Sequence, residues 1–101
     1  MSLVGAEMYI SDRPKTFSAF SLAGQTSKNR IVMAPLTRQV AEDDGTPTAE
    51  MAAYYARRAR GGLGMIISEG TFFNDELGCA AYLSQPGIAN TKHIEGWQKT
   101  T

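Results

Sequence analysis

Small and polar residues directly follow two apolar runs, and these are the positions where side chains could do chemistry. The runs and the segments after them are Ile31-Val32-Met33 before Ala34-Pro35-Leu36-Thr37, and Met65-Ile66-Ile67 before Ser68-Glu69-Gly70. Pro35 cannot donate to a sheet, so it marks the end of a strand. Parallel α/β folds bind their ligands at the carboxyl ends of strands. Thr37 and Gly70 are therefore candidates for a ligand site. The alternatives are that Thr37 only caps a loop and Gly70 only permits a turn.

Other kinds of site find little support in the sequence. No G-x-G-x-x-G follows an apolar run, and the glycine-rich stretch ARGGLG precedes a strand instead of opening a helix on a phosphate. A single cysteine, Cys79, and a single histidine, His93, cannot form a zinc site, so no metal is predicted. We expect His93 to be a solvated residue of a helix and Cys79 to be an unreactive loop thiol.

Composition narrows the class of protein. The 101 residues are 43% hydrophobic, and ten acidic residues balance ten basic ones, which gives no reason to expect nucleic acid or an anionic membrane surface as a partner. No apolar stretch approaches the roughly 18 residues of a membrane span. A lone cysteine rules out an internal disulfide and suits a reducing compartment. We therefore expect a cytoplasmic globular protein with no membrane partner.

The elements that must position the two segments form a β-α-β pattern. Residues 17–28 predict a short β-hairpin with its turn at Ala23-Gly24, leading into a strand at 30–34 that is buried on both faces. A second strand of this kind is predicted at 63–67. The two strands should be parallel, because a helix lies between them.

The intervening helix is predicted at about 47–60. Thr46 is expected to be its N-cap and Pro47 its first residue, and Gly61-Gly62 supplies the stop. Met51 and Tyr55 form part of an apolar face at helical spacing.

A further helix is predicted after the irregular segment 71–89. Asn90 is its expected cap, and Ile94 and Trp97 share one of its faces. Two parallel strands cannot cover their own edges, and a closed barrel needs about 250 residues. Residues 17–101 should therefore be the first βαβ portion of a single domain that continues beyond residue 101. Before this portion, we expect residues 1–16 to be a flexible N-terminal segment.

Five short motifs follow one another between about Ser27 and Trp97: KNRIVMAPLTR, YYARRA, GMIISEGT, PGI and IEGW. Together they resemble the old yellow enzyme family of flavin-dependent ene-reductases. The resemblance implies an α/β fold, namely the N-terminal part of a (β/α)8 TIM barrel whose floor is capped by the short hairpin. It also implies FMN at the carboxyl face of the barrel, reduced by NADH or NADPH. The reduced flavin passes hydride to an activated C=C bond of a small-molecule substrate, an α,β-unsaturated carbonyl or nitro compound. A homo-oligomer is compatible with this family.

The resemblance also implies which residues bind the cofactor. Ala34, Pro35, Leu36 and Thr37 match the segment that runs along the flavin ring, and the Thr37 hydroxyl matches the group that bonds the O4/N5 edge. Gly70, with Glu69 beside it, matches the strand end where the backbone approaches the flavin. The family's catalytic His/Asn or His/His pair and tyrosine fall beyond residue 101. No catalytic residue is therefore assigned, and the stretch alone is expected to be inactive.

Two residues, Gln39 and Ser27, depart from the family pattern, and a third, Arg58, follows it. A branch of the family places a substrate-contacting tyrosine where this chain has Gln39, so that role is not carried over. Ser27 stands where the family usually has leucine, which bears on how the hairpin packs against the barrel floor. The family pattern keeps an arginine at Arg58, on the side of the helix that carries Met51. We expect Arg58 to be buried and paired with a carboxylate such as Glu69, the alternative being a solvated arginine.

Two other functions stay open at this point. One is a relative that acts on dienoyl thioesters or oxidises amines and carries an additional iron–sulfur cluster. The other is a non-catalytic fragment that binds no flavin. Visible absorbance separates the three, because flavin is yellow and a cluster adds brown.

Overall fold

The computed structural model describes residues 14–74, 76 and 80–101. The elements are a 3-10 helix at Pro14–Phe17, β1 (Phe20–Leu22), β2 (Gln25–Ser27), β3 (Val32–Met33), α1 (Ala49–Arg60), β4 (Met65–Ile66) and α2 (Thr91–Trp97). Residues 1–13 of the predicted flexible segment lie outside the described residues, as does Cys79, whereas 14–16 belong to the 3-10 helix.

The predicted hairpin is confirmed. β1 and β2 pair antiparallel with Leu22 opposite Gln25, which leaves Ala23 and Gly24 as a two-residue turn. Both turn residues have positive φ, 50° at Ala23 and 79° at Gly24, as in the type I′ turns that match the twist of a hairpin.

Buried polar contacts join the hairpin to the approach to β4. Ser27 is buried, and its Oγ lies 2.7 Å from the carbonyl oxygen of Asn29 and 3.1 Å from that of Gly64. The side-chain amide of Asn29 donates to the Gly62 carbonyl at 2.6 Å. A Cβ at Gly64 would lie only 2.6 Å from Ser27 Oγ. The hairpin is thus attached here by hydrogen bonds and close backbone packing, where the family's usual leucine would supply an apolar side chain.

Helix α1 begins two residues later than predicted. Its N-cap is Thr48, whose Oγ1 accepts from the Met51 N–H at 3.2 Å and donates to the Val40 carbonyl at 2.9 Å. The prediction of Thr46 as the cap and Pro47 as the first helical residue is therefore wrong. Pro47 lies before the cap with its side chain fully buried. The predicted end is confirmed, since Gly61 is the C-cap and donates to the Arg57 carbonyl.

The two buried-type strands pair in parallel, as predicted. Val32 lies opposite Met65 and Met33 opposite Ile66, so each strand is shorter than the ranges 30–34 and 63–67. Helix α1 supplies the core on one side through Met51 and Tyr55, against which these partly buried side chains pack: Met33, Val40, Tyr54, Ile66 and Trp97.

The other side of the strand pair is more open than the sequence predicts. Val32 is 42% exposed and Ile67 is 48% exposed, so burial on both faces is wrong for these residues. Within the described part of the chain, β3 and β4 pair only with each other. Val32 and Ile67 are therefore partly open to solvent on this side of the pair.

Helix α2 has the predicted cap, and the residues it buries are His93 and Gly96. Asn90 Oδ1 accepts from the His93 N–H at 3.0 Å. His93 and Gly96 are buried, whereas Ile94 is 48% exposed. Trp97 is half-buried and donates from its indole N–H to the Gly87 carbonyl at 2.9 Å.

The prediction that His93 is solvated is wrong. Its side chain is 1% exposed, and its Nε2 lies 2.7 Å from the carbonyl oxygen of Asp44. Nδ1 accepts from the Ala89 N–H at 3.2 Å, so Nε2 carries the proton and donates to Asp44. His93 therefore fastens the start of α2 to the loop before α1, which is a structural role.

Candidate functional site

The pairing of β3 with β4 brings the two candidate segments to one edge of the sheet. Because the strands are parallel and in register, both continue from the same end. Ala34, Pro35, Leu36 and Thr37 are all exposed there, with Leu36 at 57%. The structure thus places the predicted segment where parallel sheets hold their ligands.

A tyrosine that the sequence did not single out lies between the two segments. The Tyr82 hydroxyl is 3.3 Å from Thr37 Oγ1. A Cβ built on Gly70 would lie 3.3 Å from the same hydroxyl. One half-buried phenol therefore links Thr37 with Gly70. The available signal was weak, since Tyr82 stands in the irregular segment 71–89, far in sequence from both partners.

Hydrogen bonds join the loop that carries Tyr82 to both of the segments that follow β3 and β4. Gln85 is buried, its Nε2 donates to the Gly70 carbonyl at 3.1 Å, and its Oε1 accepts from the Ala81 N–H at 2.7 Å. The Ala41 N–H donates to the Ser84 carbonyl at 3.2 Å. We call residues 80–85 the Tyr82 loop. Its hydrogen bonds hold it over the end of β4 and beside the segment that follows β3.

Backbone conformation also distinguishes this edge. Gln39 and Ser84 have positive φ, 59° and 55°, an uncommon conformation for residues other than glycine. Such residues concentrate at functional sites. Gly70, by contrast, is not among the positive-φ glycines, so its lack of a side chain is not explained by a turn. What a side chain there would meet is the Tyr82 hydroxyl.

The Glu69 side chain is buried and makes its hydrogen bonds within the protein, away from the open edge. It is 2% exposed, and its Oε1 accepts from the Tyr55 hydroxyl at 3.1 Å. Its Oε2 accepts from the Arg38 N–H at 3.4 Å, directly after Thr37. The Glu69 N–H donates back to the Tyr55 oxygen at 3.0 Å. Burial raises the pKa of Tyr55, and the negative charge of Glu69 adds to the rise. Glu69 thus joins α1, β4 and the backbone after Thr37.

The predicted pairing of Arg58 with Glu69 is wrong. The guanidinium of Arg58 lies 3.5 Å from the centre of the Tyr54 ring, and that of Arg38 lies at the same distance from the same ring. Tyr54 is one turn before Arg58, so helix geometry favours their contact. Both oxygens of Glu69 already have donors in Tyr55 and Arg38. Arg58 is half-buried and held by an aromatic ring, not by a carboxylate.

The described residues offer no second kind of functional site, such as a metal site or a membrane-spanning helix. These residues contain no group of three or more His, Cys, Asp or Glu side chains arranged to hold a metal ion. None of the described helices has both the length and the apolar character needed to cross a bilayer. Asp44 and Lys92 form an exposed ion pair in which the hydrogen bond from Lys92 lowers the pKa of Asp44.

Comparison with known proteins gives consistent matches. The family model for the NADH:flavin oxidoreductase / NADH oxidase family matches residues 15–101. A protein of Leishmania infantum described as a probable flavin mononucleotide-dependent alkene reductase is 40% identical, over 79% of this chain and 21% of its own length. An NADPH dehydrogenase of Bacillus cytotoxicus is 37% identical, over 83% of this chain and 24% of its own.

Solved structures agree with the sequence matches. The old yellow enzyme homologue from Zymomonas mobilis superposes with a TM-score of 0.77 and 41% identity, over 86% of this chain and 23% of that one. The described elements therefore form an α/β portion of the TIM barrel that such enzymes share. The chain spans between 21% and 24% of the length of these three proteins.

Proposed function

The chain belongs to the NADH:flavin oxidoreductase / NADH oxidase family, and from this membership we propose that it forms part of the flavin site of an FMN-dependent ene-reductase. Its relatives include a probable FMN-dependent alkene reductase and an NADPH dehydrogenase, and the family description names NADH. The observation that carries the proposal is the meeting of Thr37 and Gly70 around the Tyr82 hydroxyl, at the carboxyl ends of two parallel strands.

The residues at this edge fit a flat aromatic cofactor with a polar rim. Ala34, Pro35 and Leu36 present exposed apolar surface that a ring face could cover. Thr37 adds a hydroxyl that can donate or accept at the end of this surface. Gly70 has no side chain to occupy the space beside it, and its backbone φ does not require glycine. This donor set and the open edge suit the ring system of FMN.

Each residue then has a distinct task. When bound, FMN supplies the hydride chemistry of the reaction. Ala34, Pro35 and Leu36 would pack against its ring, and Thr37 would hold its polar edge. Gly70 would let the backbone that follows β4 come close to the flavin ring. Glu69 and Gln85 act behind these residues, because their hydrogen bonds fix the backbone at Arg38 and Gly70.

The finer parts of the function are proposals from the family. We propose that the substrate is a small molecule with an activated C=C bond, an α,β-unsaturated carbonyl or nitro compound, and that hydride comes from NADH or NADPH. A cytoplasmic location and a homo-oligomeric state complete this proposal. The cofactor-binding residues are Ala34, Pro35, Leu36, Thr37 and Gly70, with no catalytic residue assigned in this stretch.

Visible spectroscopy of the full-length protein tests the proposal. The purified protein should show flavin absorbance that anaerobic NADPH or NADH bleaches and that 2-cyclohexenone restores. A colourless protein that takes up no added FMN would contradict it. Absorbance from an additional cluster would instead favour an iron–sulfur relative acting on thioesters or amines. Thr37→Ser serves as a control, because it keeps the hydroxyl and should keep both colour changes.

A further inference from the structure

The Thr37 hydroxyl has one proton and a defined neighbour. Among the described residues its hydrogen-bond partner is the Tyr82 hydroxyl, at an oxygen–oxygen distance of 3.3 Å. Either oxygen could donate in this pair. A hydroxyl has one proton to donate and two lone pairs that accept, so the direction of this bond decides what Thr37 can offer a ligand.

Chemistry favours Tyr82 as the donor. A phenol is the stronger hydrogen-bond donor of the two hydroxyls, and an alcohol oxygen is the better acceptor. When Tyr82 donates, Thr37 keeps its own proton for a third group. Thr37 is exposed at the open edge of the sheet, so its proton is available to a ligand there. The result is a directed chain from Tyr82 through Thr37 to the bound molecule.

Tyr82 is held in place well enough to set this direction. Gln85 ties the Tyr82 loop to the Gly70 carbonyl and to its own Ala81 N–H. The Ser84 carbonyl accepts from the Ala41 N–H, in the irregular segment that follows β3 and contains Thr37. The phenol is half-buried between these anchors. Its hydroxyl therefore meets Thr37 from an anchored loop.

We propose that Tyr82 is a positioning residue that orients and polarises the Thr37 hydroxyl toward the polar edge of the flavin. The inference rests on the proposed function, because it needs FMN at this edge. Chains of hydrogen bonds strengthen one another by roughly 10–30% per bond. The Tyr82 phenol thus makes Thr37 a stronger donor to an acceptor whose negative charge rises on reduction. Removing the Tyr82 hydroxyl should weaken the hydrogen bond that Thr37 donates, while the Thr37 hydroxyl itself stays in place.

A double-mutant cycle on the FMN-loaded full-length protein tests this. The variants are Tyr82→Phe, Thr37→Ala and their combination, and the measurement is the flavin midpoint potential by redox titration. Tyr82→Phe should lower the affinity for reduced over oxidised flavin by about 1.5- to 4-fold, which for a two-electron couple is a drop of about 5–18 mV. In the Thr37→Ala background the same change should have no further effect. Tyr54→Phe, which removes a phenol hydroxyl elsewhere, is the matched control and should leave the potential unchanged.

The outcomes separate the inference from its premise. An unchanged potential in Tyr82→Phe, or an equal shift with and without the Thr37 hydroxyl, overturns the role of Tyr82 while the flavin site stands. A parent protein that binds no FMN overturns both. If Tyr82 only packs, Tyr82→Phe keeps the ring and behaves as the parent, whereas Tyr82→Ala lowers FMN retention. Circular dichroism of each variant checks that the fold is kept.

Discussion

Tyr55 and Glu69 exchange two hydrogen bonds between α1 and the segment that follows β4. The Tyr55 hydroxyl donates to Glu69 Oε1 at 3.1 Å and accepts from the Glu69 N–H at 3.0 Å. Both residues are buried, with 4% of Tyr55 and 2% of Glu69 exposed. A single phenol oxygen therefore satisfies both the side chain and the backbone of the residue before Gly70.

Removing that oxygen should destabilise the protein strongly for so small a change. Tyr55→Phe leaves a buried N–H without its acceptor and a buried carboxylate without one of its donors. Hydrogen bonds to charged groups contribute about 1.5–3 kcal/mol, and an orphaned buried group costs about 1–3 kcal/mol. We expect the free energy of unfolding of the full-length protein to fall by about 2–4 kcal/mol, measured by urea denaturation.

The neighbouring tyrosine is the control for this prediction. Tyr54 makes its described contacts through its ring and backbone carbonyl, which Tyr54→Phe preserves. We expect that variant to stay within about 0.5 kcal/mol of the parent, because it removes no hydrogen bond found among the described residues. Equal losses in the two variants would show that the exchange between Tyr55 and Glu69 contributes nothing special.

The same pair should make stability depend on alkaline pH. Burial and the charge of Glu69 raise the pKa of Tyr55 above its ordinary value of 10.0. A group whose pKa is raised by folding stabilises the folded state below the unfolded pKa, and this contribution is lost as pH rises through the folded value. The stability difference between parent and Tyr55→Phe should therefore shrink above about pH 10. Urea unfolding of both proteins between pH 7 and 11 checks this, and a constant difference would argue against it.

A side chain at Gly70 should interfere with the cofactor and largely spare the fold. Its Cβ would lie 3.3 Å from the Tyr82 hydroxyl, on the side where we place the flavin. Gly70→Val should therefore purify with little or no FMN while keeping its far-ultraviolet circular dichroism. Gly61→Val is a matched control, since its Cβ would also lie 3.3 Å from a neighbour, the Arg58 carbonyl. Full FMN content in Gly70→Val would mean that this position does not border the flavin.

Thr37 should tune the flavin more than it anchors it. Its hydroxyl would donate to an edge that gains negative charge on reduction, and such bonds contribute roughly 1.5–3 kcal/mol. About 1.4 kcal/mol corresponds to roughly 30 mV for a two-electron couple. Thr37→Ala should thus lower the potential by up to about 30–60 mV, less if water replaces the hydroxyl. Reduction by the nicotinamide should slow, while oxidation by the alkene holds steady or quickens.

Redox titration and stopped-flow measurement of both half-reactions check the role of Thr37. Thr37→Ser keeps a hydroxyl and should stay close to the parent in potential. An unchanged potential in Thr37→Ala, or slowing of both half-reactions together, contradicts tuning. Weaker FMN binding with an unchanged potential would indicate a simple anchoring role.

Local chemistry explains what the sequence predicted well. Glycine at position 24 fixes a turn, Pro35 ends a strand, and Gly61 ends a helix, and each is decided by backbone geometry within a few residues. The parallel pairing of β3 and β4 follows from an intervening helix. These features predict from the sequence alone that the two candidate segments meet at one edge of the sheet.

Partners that are distant in the chain explain what the sequence missed. The burial of His93 is satisfied by a hydrogen bond from its Nε2–H to the Asp44 carbonyl, and a lone histidine in a sequence pattern gives no hint of that carbonyl. Arg58 fails to meet Glu69 because Tyr55 and Arg38 already donate to that carboxylate. Tyr82 reaches Thr37 through a loop with no periodicity to interpret. In each case the deciding contact joins segments whose relative placement no local pattern specifies.

The hairpin turn between β1 and β2 contains a residue, Ala23, whose backbone conformation is unfavourable for its residue type. Ala23 holds φ at 50°, a conformation that asparagine or glycine adopts more readily than alanine. Both turn residues are exposed, and among the described residues no atom beyond its chain neighbours lies within 4 Å of a Cβ built at Gly24. Ala23→Asn should therefore raise the free energy of unfolding by about 0.5–1 kcal/mol with no change in flavin properties. Selection that removes only proteins below a stability threshold leaves such gains unclaimed, so this turn is a natural first site for engineering a more stable protein.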